Sequence, residues 1–262
     1  MAHKNGFESL ALLATDTDKA QTAFTDLSAE FSFVSQDEAD AVVVLGGDGF
    51  MLQTLHAMLE TDAVKPVYGI NMGTVGFLMN RPRKRADLLA AVNRASLRAV
   101  APLKMEAKTQ DGTEWTASAI NEGSLLRETR QTAKIEVSVG GKMRIAELVC
   151  DGVLVSTPVG STAYNLSANG PILPLDSQLL ALTPISPFRP RRWRGAVLPE
   201  YSDIVFRVLE PEKRPVAVVA DQIEFRDIAE VSVAIDRAAD LTLLFDSGHS
   251  LDERIVAEQF VT

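Results

Sequence analysis

Cysteine is almost missing: the 262 residues contain one, Cys150, which excludes an internal disulfide framework and a multi-cysteine zinc site and fits a reducing compartment. Histidine is also scarce, and His3, His56 and His249 show no metal-ligand spacing. Basic residues are outnumbered, with 26 Lys plus Arg against 35 Asp plus Glu and a net charge of −9. This balance argues against a general nucleic-acid or anionic-membrane surface, and any anionic ligand must be met by a local site. No apolar run approaches membrane-spanning length, and the short patch before Asp16 and Asp18 does not suit a secretion signal. The expectation is a cytoplasmic protein with no membrane partner. Internal repeats and low-complexity tracts are lacking too, while the 46% hydrophobic content is enough for one large domain or two smaller ones.

The first hundred or so residues alternate short apolar runs with amphipathic stretches. Ser9 to Ala14, Ala41 to Leu45 and Lys65 to Ile70 read as strands. Asp16 to Glu30 and Phe50 to Leu59 read as helices, and so does Arg85 to Ser96, with Leu88, Leu89 and Val92 facing inward. This is the rhythm of an α/β domain. From about Arg98 the period changes to two: Ile135, Val137 and Val139 alternate with Glu136 and Ser138, and Gly140-Gly141 suits a primed hairpin turn into Lys142 to Val149. Further strands are expected at Thr116 to Ile120, Gly152 to Ser156, Ile204 to Leu209, Val216 to Ala220, Glu230 to Ile235 and Leu241 to Phe245. A β-rich domain follows the α/β one.

Chemistry concentrates where strands run out. Ala41 to Leu45 empties into Gly46-Gly47-Asp48-Gly49, and ligands of parallel sheets bind beyond the carboxyl ends of the strands. Glycines let backbone amides approach a phosphate, but a carboxylate there repels one unless it faces a hydroxyl or a metal. That conflict suggests phosphoryl transfer to a hydroxyl, although a plain Asp-Gly turn has the same sequence. Asn71-Met72-Gly73, with Gly76-Phe77-Leu78, forms a glycine-containing loop after the third strand. Asn121-Glu122 offers donors and acceptors suited to a base edge or a ribose diol. Asp151 to Ser167 contains a strand, a Pro-Gly turn and a hydroxyl-rich helix start, where Ser161 or Thr162 can cap backbone amides and Tyr164 offers an aromatic face.

Together these residues resemble the NAD kinase family, of the bacterial kind. The first motif is shared with lipid kinases and phosphofructokinases, but the long Asp151 to Tyr164 motif is typical of NAD kinases and the spacing fits. The resemblance implies an α/β domain of residues 1–98 with 244–262, whose last segment returns to it, and a β-rich nucleotide-binding domain of residues 99–243. The implied reaction moves the γ-phosphoryl group of ATP, or in some members polyphosphate, to the 2′-hydroxyl of the adenosine ribose of NAD. Asp48 is then the proton acceptor, and Gly46, Gly47, Gly49 and Gly73 shape the phosphate-facing loop. Asn121 and Glu122 contact the nucleotide. Thr162, Ala163, Tyr164, Asn165, Leu166 and Ser167 line the dinucleotide pocket, Asp151 binds the nicotinamide end, and Gln222 adds a contact. No metal ligand is implied from the protein, magnesium arriving with ATP. A homodimer or homotetramer is expected.

One departure is that the family often has a basic residue two positions before the Asp-Gly pair, where Leu148-Val149-Cys150 supplies none. Arg127 and Arg130 either replace it or are solvated surface groups. The arginines at 189, 191, 192 and 194 around Trp193 suit a subunit interface better than a grip on phosphates, with a solvated basic loop as the other reading, and Cys150 reads as a buried thiol. Two other functions stay open at this point: a lipid or sugar kinase sharing the Gly-Gly-Asp-Gly loop, and a non-catalytic dinucleotide sensor.

Overall fold

A computed structural model describes residues 5–74, 76–82 and 88–246. It divides into two compact units, one running to Val100 and resuming at Ala239, the other Ala101–Ala238.

The first unit follows the alternating pattern. Its elements are β1 (Leu10–Ala14), α1 (Asp18–Glu30), β2 (Ala41–Gly46), α2 (Asp48–Glu60), β3 (Val67–Asn71), α3 (Leu88–Arg94) and β4 (Ser96–Val100). β1, β2 and β3 pair in parallel in that order. A closing strand, Leu241–Phe245, then lies between β3 and β4, parallel to the first and antiparallel to the second. Every residue of β2 from Ala41 to Leu45 is fully buried, as a continuous apolar run at the centre of a covered sheet should be. Burial of each such valine or leucine stabilises the fold by about 1.5–3 kcal/mol.

Two local expectations for this unit are corrected. Helix α2 begins at Asp48 rather than Phe50, because Gly47, extended at φ −120°, takes the N-cap position and its carbonyl accepts the Met51 amide at 3.0 Å. Leu89 points outward and is 37% exposed, whereas Leu88 and Val92 are buried. In a seven-residue helix of 3.6 residues per turn, 88 and 92 share a face that 89 leaves. The expected start of this helix at Arg85, and residues 247–262, lie outside the described residues, as do His3 and His249.

The second unit is all antiparallel. In chain order it comprises β5 (Leu103–Thr109), β6 (Glu114–Ala119), β7 (Glu122–Arg127), β8 (Ala133–Val139), β9 (Lys142–Cys150) and β10 (Gly152–Ser156). A 3₁₀ turn over Val159–Thr162 and the single-turn helix α4 (Tyr164–Ser167) follow, and then β11 (Leu179–Ile185), β12 (Ala196–Pro199), β13 (Ile204–Val208), β14 (Val216–Ala220), β15 (Ile223–Phe225) and β16 (Ile228–Ile235). Two six-stranded sheets form, ordered β12-β11-β10-β7-β14-β15 and β6-β5-β16-β13-β8-β9. Alternate residues of each, such as Leu103, Met105 and Ala107 from one and Leu125, Val153 and Val155 from the other, share one apolar core, so the sheets pack face to face. The turn between β8 and β9 has Gly140 at φ +59° and Gly141 at φ +70°, the primed geometry that glycine permits without strain. Cys150 is buried in this core, which pushes its thiol up to about 12.

Candidate active site

Each unit brings part of the predicted residue set together. In the first, Gly46 ends β2, and its carbonyl accepts the Met72 amide at 2.7 Å. Asp48 is the first residue of α2, where negative charge meets the positive end of the helix. Its carboxylate is not spent on the helix's own amides. Instead Oδ2 accepts the Phe77 amide at 2.8 Å and Oδ1 the Leu78 amide at 2.7 Å. The Asn71–Asn80 loop is thereby folded over the carboxylate. Its bend needs Gly76, at φ +72°, where a Cβ would lie 2.5 Å from the Asn71 side chain. The loop returns through Asn80, whose buried side-chain amide donates to the Gly69 and Leu244 carbonyls at 3.0 and 2.9 Å.

The four glycines expected to shape a phosphate loop differ in what they do. Gly46 is strand, and a Cβ there would meet Phe50 at 2.9 Å. Gly47 caps α2, and Gly49 sits exposed in the helix's first turn. The amide of Gly73 donates to Asn71 Oδ1 at 2.9 Å.

In the second unit Asn121 joins β6 to β7, and Glu122 is the first residue of β7. Three consecutive amides, those of Ile120, Asn121 and Glu122, donate to the carboxylate of Asp221 at 2.6, 2.9 and 3.1 Å. Asp221 adopts φ +51° in the two-residue connection between β14 and β15. The Thr157 hydroxyl donates to the Ile120 carbonyl at 2.7 Å, the Thr157 amide to the Asn121 carbonyl at 3.0 Å, and Gly160 packs so close that a Cβ would lie 2.1 Å from that same carbonyl oxygen. The Asn121-Glu122 corner is thus clamped from two sides.

Glu122 is the electrostatic outlier. Burial, and then the Asp221 charge, push its carboxyl from 4.5 up to about 8, while a hydrogen bond with the Tyr164 backbone works the other way. Its Oε2 is buried without a hydrogen-bond partner. At neutral pH the group is therefore largely protonated and can donate a hydrogen bond as well as accept one.

Further expectations change in the hydroxyl-rich segment. Neither Ser161 nor Thr162 caps a helix; the N-cap position of the 3₁₀ turn is Pro158, and the Gly160 amide donates to the hydroxyl of Thr157, one residue earlier, at 3.1 Å. The buried Ser161 hydroxyl donates to the Pro158 carbonyl at 2.7 Å and accepts the Leu173 amide at 3.1 Å. Asn165 is fully buried, its amide nitrogen bonded to the Ser161 and Pro171 carbonyls and its oxygen to the Thr183 hydroxyl, so it holds the loop's shape. Thr162, Ala163, Tyr164 and Leu166 are partly exposed and Ser167 is exposed. Tyr164 and Ser167 line a cavity of about 310 Å³, together with Pro184, Trp193 and Arg194.

Arg127 is half-buried and paired: its Nε donates to Asp151 Oδ1 at 2.6 Å and its Nη1 to the Thr129 carbonyl. Gln222 lies exposed beside Asp221. Asp221 itself was not anticipated. An aspartate opening a two-residue turn is visible in sequence, but its partners lie about a hundred positions earlier.

Among the described residues no three His, Cys, Asp or Glu side chains gather as metal ligands, and no helix is long and apolar enough to cross a membrane.

Residues 2–97 match the ATP-NAD kinase N-terminal domain and residues 120–244 the ATP-NAD kinase C-terminal domain. The chain is 59% identical to an NAD kinase of Rhizorhabdus wittichii over 254 residues, covering 97% of this chain and 98% of that one. It is 56% identical to an NAD kinase of Zymomonas mobilis at the same coverage. Among solved structures it resembles yeast NADH kinase complexed with NADH, with a TM-score of 0.79, 20% identity and coverage of 97% and 87% of the two chains. An NAD kinase from Archaeoglobus fulgidus in complex with ATP gives a TM-score of 0.74 at 22% identity, over 96% and 98%.

Proposed function

Because the chain belongs to the NAD kinase family, we propose that it transfers the γ-phosphoryl group of ATP to the 2′-hydroxyl of the adenosine ribose of NAD, giving NADP, with Asp48 as the proton acceptor. The observation that carries this role is the pair of loop amides on the Asp48 carboxylate. They fix the group beside the end of β2, offset its charge near an anionic donor, and leave each oxygen a lone pair for the incoming hydroxyl. In the transfer the 2′-oxygen bonds to the γ-phosphorus, the bond from that phosphorus to the β–γ bridging oxygen breaks, ADP departs, and the hydroxyl proton passes to Asp48.

The dinucleotide is received by Asn121, Glu122, Asp151, Thr162, Ala163, Tyr164, Leu166 and Ser167, with Asn165 holding their loop and Gln222 at its margin. Protonated Glu122 supplies a hydrogen bond to a ring nitrogen or ribose oxygen. Magnesium enters as Mg-ATP, coordinated by phosphates and water, and polyphosphate is the alternative donor. A reducing cytoplasmic setting fits the buried Cys150, and the working form is a homodimer or homotetramer, as the family resemblance implies.

Purified protein mixed with NAD and Mg-ATP should form NADP; no NADP with either ATP or polyphosphate refutes the reading. Asp48→Asn should lower turnover by about 10²-fold or more, the usual worth of a general base, while calorimetry still detects NAD binding. The asparagine also sets an NH₂ group against the Phe77 or Leu78 amide, so its loop loosens. Unchanged turnover would remove Asp48 from the role.

A further inference from the structure

The segment Phe188–Gly195 gathers four arginines in a protein of net charge −9, and the backbone fixes it at both ends. At its start the Phe188 and Arg189 amides donate to the Val149 carbonyl at 2.7 and 3.1 Å, and the Val149 amide donates to the Arg189 carbonyl at 2.8 Å. At its end Gly195 has φ +104°, and a Cβ there would lie 2.3 Å from the Leu182 carbonyl oxygen. Glycine alone lets the chain press onto β11 and carry the preceding residue back over it. Between these anchors Trp193 packs on the core of the unit, while the guanidinium groups of Arg189 and Arg191 lie 5.6 and 5.1 Å from the Phe188 ring centre.

Arg194 has a different setting. It lines the 310 Å³ cavity whose wall also carries Tyr164 and Ser167, and it has no carboxylate partner among the described residues. Arg127, the other arginine near this motif, is held by Asp151. A cavity with an indole, a phenol, a hydroxyl and one uncommitted guanidinium suits a planar ring joined to an anion. Guanidinium binds phosphate oxygens through a two-pronged fork, and here no existing ion pair has to be broken first.

We propose that Arg194, held over the Tyr164 cavity by the bend at Gly195, contacts a phosphate of the bound dinucleotide and selects ligands that carry one. The proposal rests on reading Tyr164 as part of the dinucleotide pocket. It gives the arginine-rich segment a binding role within one chain, where composition had suggested a subunit interface.

The test compares wild-type protein with Arg194→Ala and Arg194→Lys, titrated calorimetrically with NAD, ADP-ribose and adenosine. Arg194→Ala should weaken NAD and ADP-ribose on the order of tenfold, the worth of one charge-assisted contact, and leave adenosine unchanged. Arg194→Lys should recover part of the loss, and the alanine variant should raise KM for NAD more than it lowers kcat. Equal losses for adenosine and NAD, or no loss for NAD, would overturn the proposal. So would a changed molecular mass in solution with unaltered affinities, which would assign the segment to a subunit interface. Failure of the wild type to make NADP would instead strike the kinase reading, since the contrast between NAD and adenosine needs no turnover.

Discussion

Replacing Glu122 by glutamine measures what it costs the fold to bury that carboxyl. Burial and the Asp221 charge push it from 4.5 to about 8. At about 1.4 kcal/mol per pH unit, full ionisation in the folded state would cost at most ~5 kcal/mol. The folded-state value lies above the unfolded one, so folding retains a proton. The contribution of the protonated group is complete below about 4.5, is lost as pH rises toward about 8, and changes no further above that. Glutamine has nearly the same shape and does not titrate. The stability of wild type minus that of Glu122→Gln should therefore fall by ~4 kcal/mol between pH 5 and pH 8.5 in urea denaturation at constant ionic strength. Subtraction removes the titration of all other groups. A difference independent of pH would refute the argument, since it would mean that Glu122 ionises in the fold as it does in water.

Two further substitutions probe the clamp around Asn121. Gly160→Ala drives a Cβ to 2.1 Å from the Asn121 carbonyl oxygen; since backbone must move to admit it, a loss of ~3 kcal/mol or more is expected, measured as a lower urea midpoint, and an unchanged midpoint would contradict the geometry. Asp221→Asn replaces an acceptor of three amides with one that must point an NH₂ toward some of them. It should cost about 1–3 kcal/mol and raise KM for NAD, and a variant with wild-type stability and KM would show that the clamp is dispensable.

Much of the fold could be read from periodicity. The buried run at β2 and the two-residue alternation of β8 each state which faces are covered, and Gly140-Gly141 states where the hairpin turns, whereas β5, which alternates just as clearly, was not picked out. Boundaries failed where a short-range choice depended on distant atoms. Whether Asp48 lies before or inside a helix is decided by the conformation of Gly47 and by a loop thirty residues later. The site shows the same division. Asp48 and Glu122 stand out by residue type and position, but the proton on Glu122 depends on burial and on a carboxylate about a hundred residues away. Asn165 stands among the pocket residues only through the family resemblance; its three buried partners show what the sequence did not, that it holds the loop's shape. The serine and threonine of the Gly160-Ser161-Thr162 turn likewise resembled caps, while the hydroxyl that accepts a turn amide is that of Thr157, four residues before Ser161.

The strand Leu241–Phe245 carries a consequence for how the molecule is made. It is an interior strand of the first unit's sheet, the link between β3 and β4, yet it is synthesised after the whole of the second unit. A nascent chain that has just completed Val100 presents β3 with an open edge and β4 with no neighbour. The second unit is uninterrupted in sequence from Ala101 to Ala238, and its two sheets pair only strands of that stretch. The usual order of synthesis, in which the part made first folds first, is thus reversed: the carboxylate at Asp48 waits for the ribosome to reach Phe245 before the sheet that supports it is whole.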